Sequence, residues 1–210
     1  MGEIEKRNQR IQGSRAQRSE PGVPSASLNH SIIATLISNS SSEFEHVILC
    51  MSTSGESERL LPPNTRLIEL NKPPGNSFMF LLKLARVIRK LRPDVVHTRN
   101  WGGMDGIVAA RLAGCKAIIH GEHGWEVIDP LGDNRKRVWT RRILSCLAKE
   151  YTCVSKQMRH WLQEIIGIRK PITQIYNGVD IDLYAPNGSR EKKREEFGVP
   201  LDAFVIGCVG

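Results

Sequence analysis

The sequence predicts an α/β fold: a Rossmann-like parallel sheet with helices on both faces. Three observations carry that prediction. From residue 28 onward, short apolar runs rich in Val and Ile alternate with longer amphipathic segments, the pattern of a parallel sheet wound with helices. Gly, Pro and small polar residues punctuate the boundaries between them. Polar clusters follow the strand segments, at the carboxyl ends where open parallel sheets bind ligands.

Residues 1–27 are rich in Arg, Gln, Ser, Gly and Pro with no apolar period, and are expected to be a disordered tail. Ile32, Ile33, Leu36 and Ile37 suit one face of a helix. Residues 44–51 and 65–70 read as strands. Ser77 opens a helix whose apolar residues include Phe78, Leu81, Leu82, Ala85, Ile88 and Leu91, and Pro93 stops it. Residues 94–98 form a strand, 102–113 a helix capped by Gly114, and 117–120 the next strand. A basic helix covers 134–148, a strand 151–154, and Ser155 caps a helix reaching Ile166. Residues 172–176 are a strand, 190–197 a charged helix, and 203–209 a final strand. Pro21 to Ser27 hold two prolines and no apolar run, so the first strand of the sheet is expected to be missing.

The chain has 210 residues, a formal net charge of +8 and a pI of about 9.5. Length points to one domain or one and a half. The charge favours anionic partners: phosphorylated ligands, an anionic lipid surface or nucleic acid. No nucleic-acid recognition motif is present, so nucleic acid is not an expected partner. Cys50, Cys115, Cys146, Cys153 and Cys208 show no CxxC spacing and read as buried free thiols. With an odd count and no signal peptide, they lead to the expectation of a cytoplasmic protein. No apolar run reaches the ~18 residues of a membrane span.

Three clusters could carry chemistry. His97, Thr98, Arg99, Asn100, Trp101, Gly102 and Gly103 follow one strand, and the glycines allow close approach of a ligand to backbone N–H groups. His120, Gly121, Glu122, His123, Gly124, Trp125 and Glu126 combine imidazoles, carboxylates and an aromatic platform, able to orient sugar hydroxyls and accept protons. Ser155 places a hydroxyl at a helix start. His120 and His123 have ligand-like spacing but no third ligand, so no metal is expected. There is no Walker loop and no GxGxxG, so no nucleotide cofactor site is expected in this chain. Arg135, Lys136, Arg137, Trp139, Arg141 and Arg142 on the basic helix leave two readings open: docking on an anionic bilayer, or a solvated face.

The run Leu91 to Thr98, the His123-Gly124 pair, Val154-Ser155, and Tyr176 to Asp180 with Tyr184 and Pro186 together resemble glycosyltransferase family 4. The likeness is greatest to its bacterial exopolysaccharide-type sugar transferases, and it spans residues 28–210. It implies one half of a GT-B fold: residues 28–186 as the acceptor-side domain, and 187–210 as the connector and first strand of a cut-off donor domain. It implies His123 as a catalytic residue near the acceptor and transferred sugar, with Glu122 as an auxiliary acid or base by its chemistry. His97, Arg99, Asn100, Trp101, Gly102, Gly103, His120, Trp125 and Ser155 become candidate acceptor contacts. Asn177, Gly178, Val179 and Asp180 match the interdomain connector. The parent reaction would transfer a sugar, with retention, from a nucleoside diphosphate sugar to a lipid-linked or oligosaccharide acceptor at the inner face of the cytoplasmic membrane. The chain by itself is expected to be inactive. The rival readings are a non-catalytic glycan- or partner-binding domain and a degenerate gene fragment.

Overall fold

The computed structural model describes residues 28–75, 77–126, 128–178 and 188–206. The expected tail, Val179, Asp180, Tyr184, Pro186 and Cys208 lie outside them. The architecture is α/β with parallel strands throughout its two sheets.

Helix α1 (Leu28–Ser38) precedes strand β1 (Val47–Cys50), and β1 pairs in parallel with β2 (Arg66–Glu69). Helix α2 (Phe78–Leu91) leads to β3 (Val95–Arg99), and α3 (Met104–Ala113) to β4 (Ala117–Glu122). Helix α4 (Arg135–Leu144) precedes β5 (Glu150–Cys153), and α5 (Lys156–His160) continues as a π-helical turn, Trp161–Ile166, before β6 (Ile172–Gln174). Strands β3, β4, β5 and β6 are neighbours in that order. A charged helix α6 (Arg190–Glu196) follows. Residues 203–206 are in no strand, against the expected final strand there, and Phe204 and Ile206 are exposed. An apolar run forms a strand only against a neighbouring edge, and none of the described strands lies there.

Local chemistry sets the boundaries. The Ser77 hydroxyl accepts a hydrogen bond from the Phe80 amide and caps α2. At the other end Arg92, at φ 50°, turns the chain into Pro93. Asn134 caps α4 through the Arg137 amide, so this helix begins one residue later than its sequence pattern. Ser155 caps α5 through the Met158 amide, as expected.

One core joins the elements from β1 to β6. The buried face of α2 is Phe80, Leu84, Ala85 and Ile88. Phe78, the first residue of the helix and expected on that face, is 70% exposed. Leu36 of α1 is likewise exposed. On α3 the small residues Gly106, Ala109 and Ala110 are buried. A Cβ on Gly106 would lie 2.8 Å from Thr98 Cγ2, so the glycine lets α3 sit closely over β3. Ile107, Ile118, Tyr151, Leu162 and Ile166 complete the centre. The cysteines differ from expectation: Cys153 is buried, Cys50 and Cys115 are half-buried, and Cys146 is exposed in the turn after α4.

Candidate active site at the ends of β3 and β4

Parallel pairing puts the polar clusters side by side. Thr98 lies opposite His120, and Arg99 opposite Gly121. The two loops then lock together just past the strands. The Asn100 amide donates to the Gly121 carbonyl at 2.8 Å, and the His123 amide donates to Asn100 Oδ1 at 2.7 Å. Asn100 does this with φ 52° and ψ −173°. That backbone region is strained for any residue but glycine, at a cost of order 1–3 kcal/mol. The two bonds to β4 hold it there.

His123 is half-buried, with Arg99 Nη2 at 2.8 Å from its Nδ1. Desolvation, then the charges of Arg99 and His97, lower its pKa to about 4, against the opposing pull of Asn177 and Glu122. The imidazole is therefore neutral at physiological pH. His97 is exposed on β3 although protein atoms crowd its ring, and this desolvation, then the Arg99 and His120 charges, bring it to about 4 as well. Asn177 is exposed, next to Gly178, and reaches His123 from the end of the chain segment that follows β6.

Beneath these residues is a buried polar chain. The Thr98 hydroxyl lies 2.7 Å from His120 Nδ1. His120 Nε2 lies 3.5 Å from Glu122 Oε1, which accepts a 2.6 Å hydrogen bond from Arg141 Nε. His120, Glu122 and Arg141 are almost completely buried. Burial raises the Glu122 pKa, but the His120 hydrogen bond and the Arg141 charge outweigh it and hold the carboxyl below its ordinary value. Glu122 is thus an ionised partner of Arg141, shut away from solvent. His120 also meets Tyr151 edge-on, with ring centroids 5.4 Å apart.

Arg141 links this chain to a stack of indoles. Its guanidinium lies 5.1 Å from both the Trp101 and Trp161 rings, and Arg137 covers Trp101 at 4.7 Å. Trp161 meets Trp125 edge-on at 4.8 Å and donates its N–H to the Gly132 carbonyl at 2.9 Å. The stack ties α4, α5 and the loops after β3 and β4 into one block. It also changes the reading of the basic helix: Arg141 is buried and Arg137 half-buried, so both leave the outer face. Arg135, Lys136, Trp139 and Arg142 remain exposed, and Arg142 covers Trp139 at 5.3 Å while bonding the Ile165 and Ile166 carbonyls.

The structure thus brings together His97, Arg99, Asn100, Trp101 and His123, with Asn177 beside them. His120 is in the same network but without solvent contact. Gly102 is exposed, Gly103 packs on Thr98, and Trp125 reaches the cluster through Trp161. Ser155 is engaged as a helix cap. Trp161 and Tyr151 were not singled out in the sequence. Both lie in apolar periods that read as core, and only the contact with Arg141 or His120 reveals their part.

This polar, partly buried cluster lies at the carboxyl ends of adjacent parallel strands, where open α/β sheets receive ligands. The family model described as Glycosyltransferase Family 4 matches residues 34–183, and the chain belongs to that family. It is similar to the Escherichia coli UDP-Gal:alpha-D-GlcNAc-diphosphoundecaprenol alpha-1,3-galactosyltransferase, with 27% identity over 135 residues, 62% of this chain and 35% of that protein. The chain therefore spans about a third of the length of this relative.

Proposed function

We propose that residues 28–186 form the acceptor-side domain of a retaining sugar transferase that moves a hexose from a nucleoside diphosphate sugar to a lipid-linked sugar. The observation that carries this reading is the His123 cluster: a neutral imidazole, a guanidinium and a strained asparagine held together where parallel sheets receive ligands. Family membership and the relative's diphosphoundecaprenol acceptor support it. Donor-phosphate binding falls to a facing domain, which Asn177 and Gly178 lead toward. In this reading His123 and Asn100 contact the acceptor or the transferred sugar, and Glu122, paired with Arg141, positions the β4 loop without exchanging protons.

Titrating the purified chain with a short-chain GlcNAc-diphospholipid tests the reading by calorimetry. Saturable binding is expected, weakened at least tenfold by His123→Ala. Absence of binding, or equal binding by the variant, rules the assignment out.

An inner-membrane position follows from the same reading. No helix among the described residues is long and apolar enough to cross a membrane. On α4, Trp139 and Ile143 are exposed beside Arg135, Lys136 and Arg142, so apolar anchors and cations share a surface. Flotation with vesicles containing phosphatidylglycerol is expected to recover the chain, and the variant Trp139→Ala with Ile143→Ser to lose most of that binding. Equal flotation of both proteins, or none with anionic vesicles, contradicts it.

A further inference from the structure

The contact between Arg99 and His123 decides more than proximity. A guanidinium carries only donors. At 2.8 Å from Arg99 Nη2, His123 Nδ1 must therefore supply its lone pair. A neutral imidazole with an accepting Nδ1 carries its hydrogen on Nε2. That Nε2 is buried and has no hydrogen-bond partner among the described residues. It is also crowded from one side: a Cβ on Gly121 would lie 2.7 Å away.

We propose that Arg99 is a positioning residue that locks His123 in its Nε2–H tautomer, so that the ring meets a sugar oxygen as a hydrogen-bond donor and not as a base. The use of the donor on a sugar rests on the glycosyltransferase reading; the tautomer does not. At neutral pH neither nitrogen can take a proton easily. Nδ1 is occupied by a cation, and Nε2 already holds its hydrogen. Protonating Nδ1 would set an N–H against the guanidinium, and the groups facing the ring agree with this. Desolvation, then Arg99 and His97 on β3, disfavour the cation, while Asn177 and Glu122 favour it and are outweighed. Nε2 is closed to solvent in this structure, so an acceptor oxygen reaches it when the ring or the neighbouring Asn177 side chain gives way, and the bond then satisfies a buried donor. Arg99 thus acts through His123, and its removal is expected to alter the chemistry of the ring and not only its place.

Long-range proton–nitrogen NMR of the nitrogen-15-labelled chain reads this directly, with His123→Gln to assign the ring. The expected wild-type pattern is a single Nε2–H tautomer that titrates near pH 4. Arg99→Lys keeps a cationic donor and is expected to keep that pattern. Arg99→Met is expected to give mixed tautomers and a pKa raised only part of the way toward the ordinary value of about 6.5, since the desolvation of the ring remains. An Nδ1–H pattern in the wild type, or an unchanged spectrum in Arg99→Met, overturns the proposal. These spectra need no sugar, so they stand apart from the functional reading. Adding the GlcNAc-diphospholipid to saturation is expected to shift the Nε2 proton. Binding without that shift overturns the donor role, and no binding overturns the acceptor reading alone.

Discussion

Arg141→Met is expected to destabilise the protein by about 3–5 kcal/mol, because it leaves the Glu122 carboxylate buried without its cation. Glu122 is 1% exposed, and Arg141 Nε is its 2.6 Å donor. The substitution keeps most of the apolar volume against Trp101 and Trp161, so lost packing contributes little. For a chain of this size the change corresponds to roughly 6–20 °C in Tm. Urea unfolding measures it, and a loss under about 1 kcal/mol contradicts the buried-pair account. The double variant Arg141→Met with Glu122→Leu is expected to recover much of the loss, since removing both charges of a buried pair is often neutral.

The same pair sets an acid limit. The folded-state pKa of Glu122 is lowered from 4.5. Its contribution is therefore fully present above the unfolded value and is lost as pH falls through the folded one. Wild-type stability is expected to fall relative to that of the double variant as pH drops below about 4.5, measured by urea unfolding across the acid range.

Gly121→Ala is expected to cost about 1–3 kcal/mol and to displace the His123 ring. The new Cβ would lie 2.7 Å from His123 Nε2 and 2.8 Å from Thr152 Oγ1. Gly121 sits inside β4, paired with Arg99 on one side and Thr152 on the other, so the strand cannot shift to make room. The yielding atoms are the imidazole and the threonine hydroxyl. Moving the imidazole breaks its contact with Arg99. Chemical denaturation and the His123 ring resonances check the two parts. Unchanged stability with an unmoved ring would show that the site tolerates the methyl group. The glycine is needed here for space and not for an unusual backbone angle.

Apart from the strand expected at 203–209, the sequence placed the strands and helices within a few residues because their causes are local. Ser77 and Ser155 cap helices by bonding amides three residues on, and the β-branched run at β3 extends on its own preference. The glycosyltransferase likeness was legible for the same reason: its motifs are short and carried by strand ends. Periodicity puts Phe78 with the core because it ranks residues by helix face alone, whereas the fold leaves this first residue of α2 exposed. The basic residues of α4 were indistinguishable by charge. Spacing alone could not say that Arg141 turns inward to Glu122 while Arg142 turns outward to Trp139.

By itself the sequence determined the α/β pattern, the family, and the two clusters after β3 and β4. Tertiary structure alone decided the state of each group within them. His123 is neutral because the fold desolvates its ring and brings Arg99, 24 residues earlier, across to its Nδ1. Glu122 is charged because His120 and Arg141, the latter 19 residues later, are brought to its carboxylate in the interior. Strand register and helix packing set those distances, and the protonation of a buried group depends on which charges stand within a few ångströms of it. That information is spread over the whole fold and is not contained in any single motif.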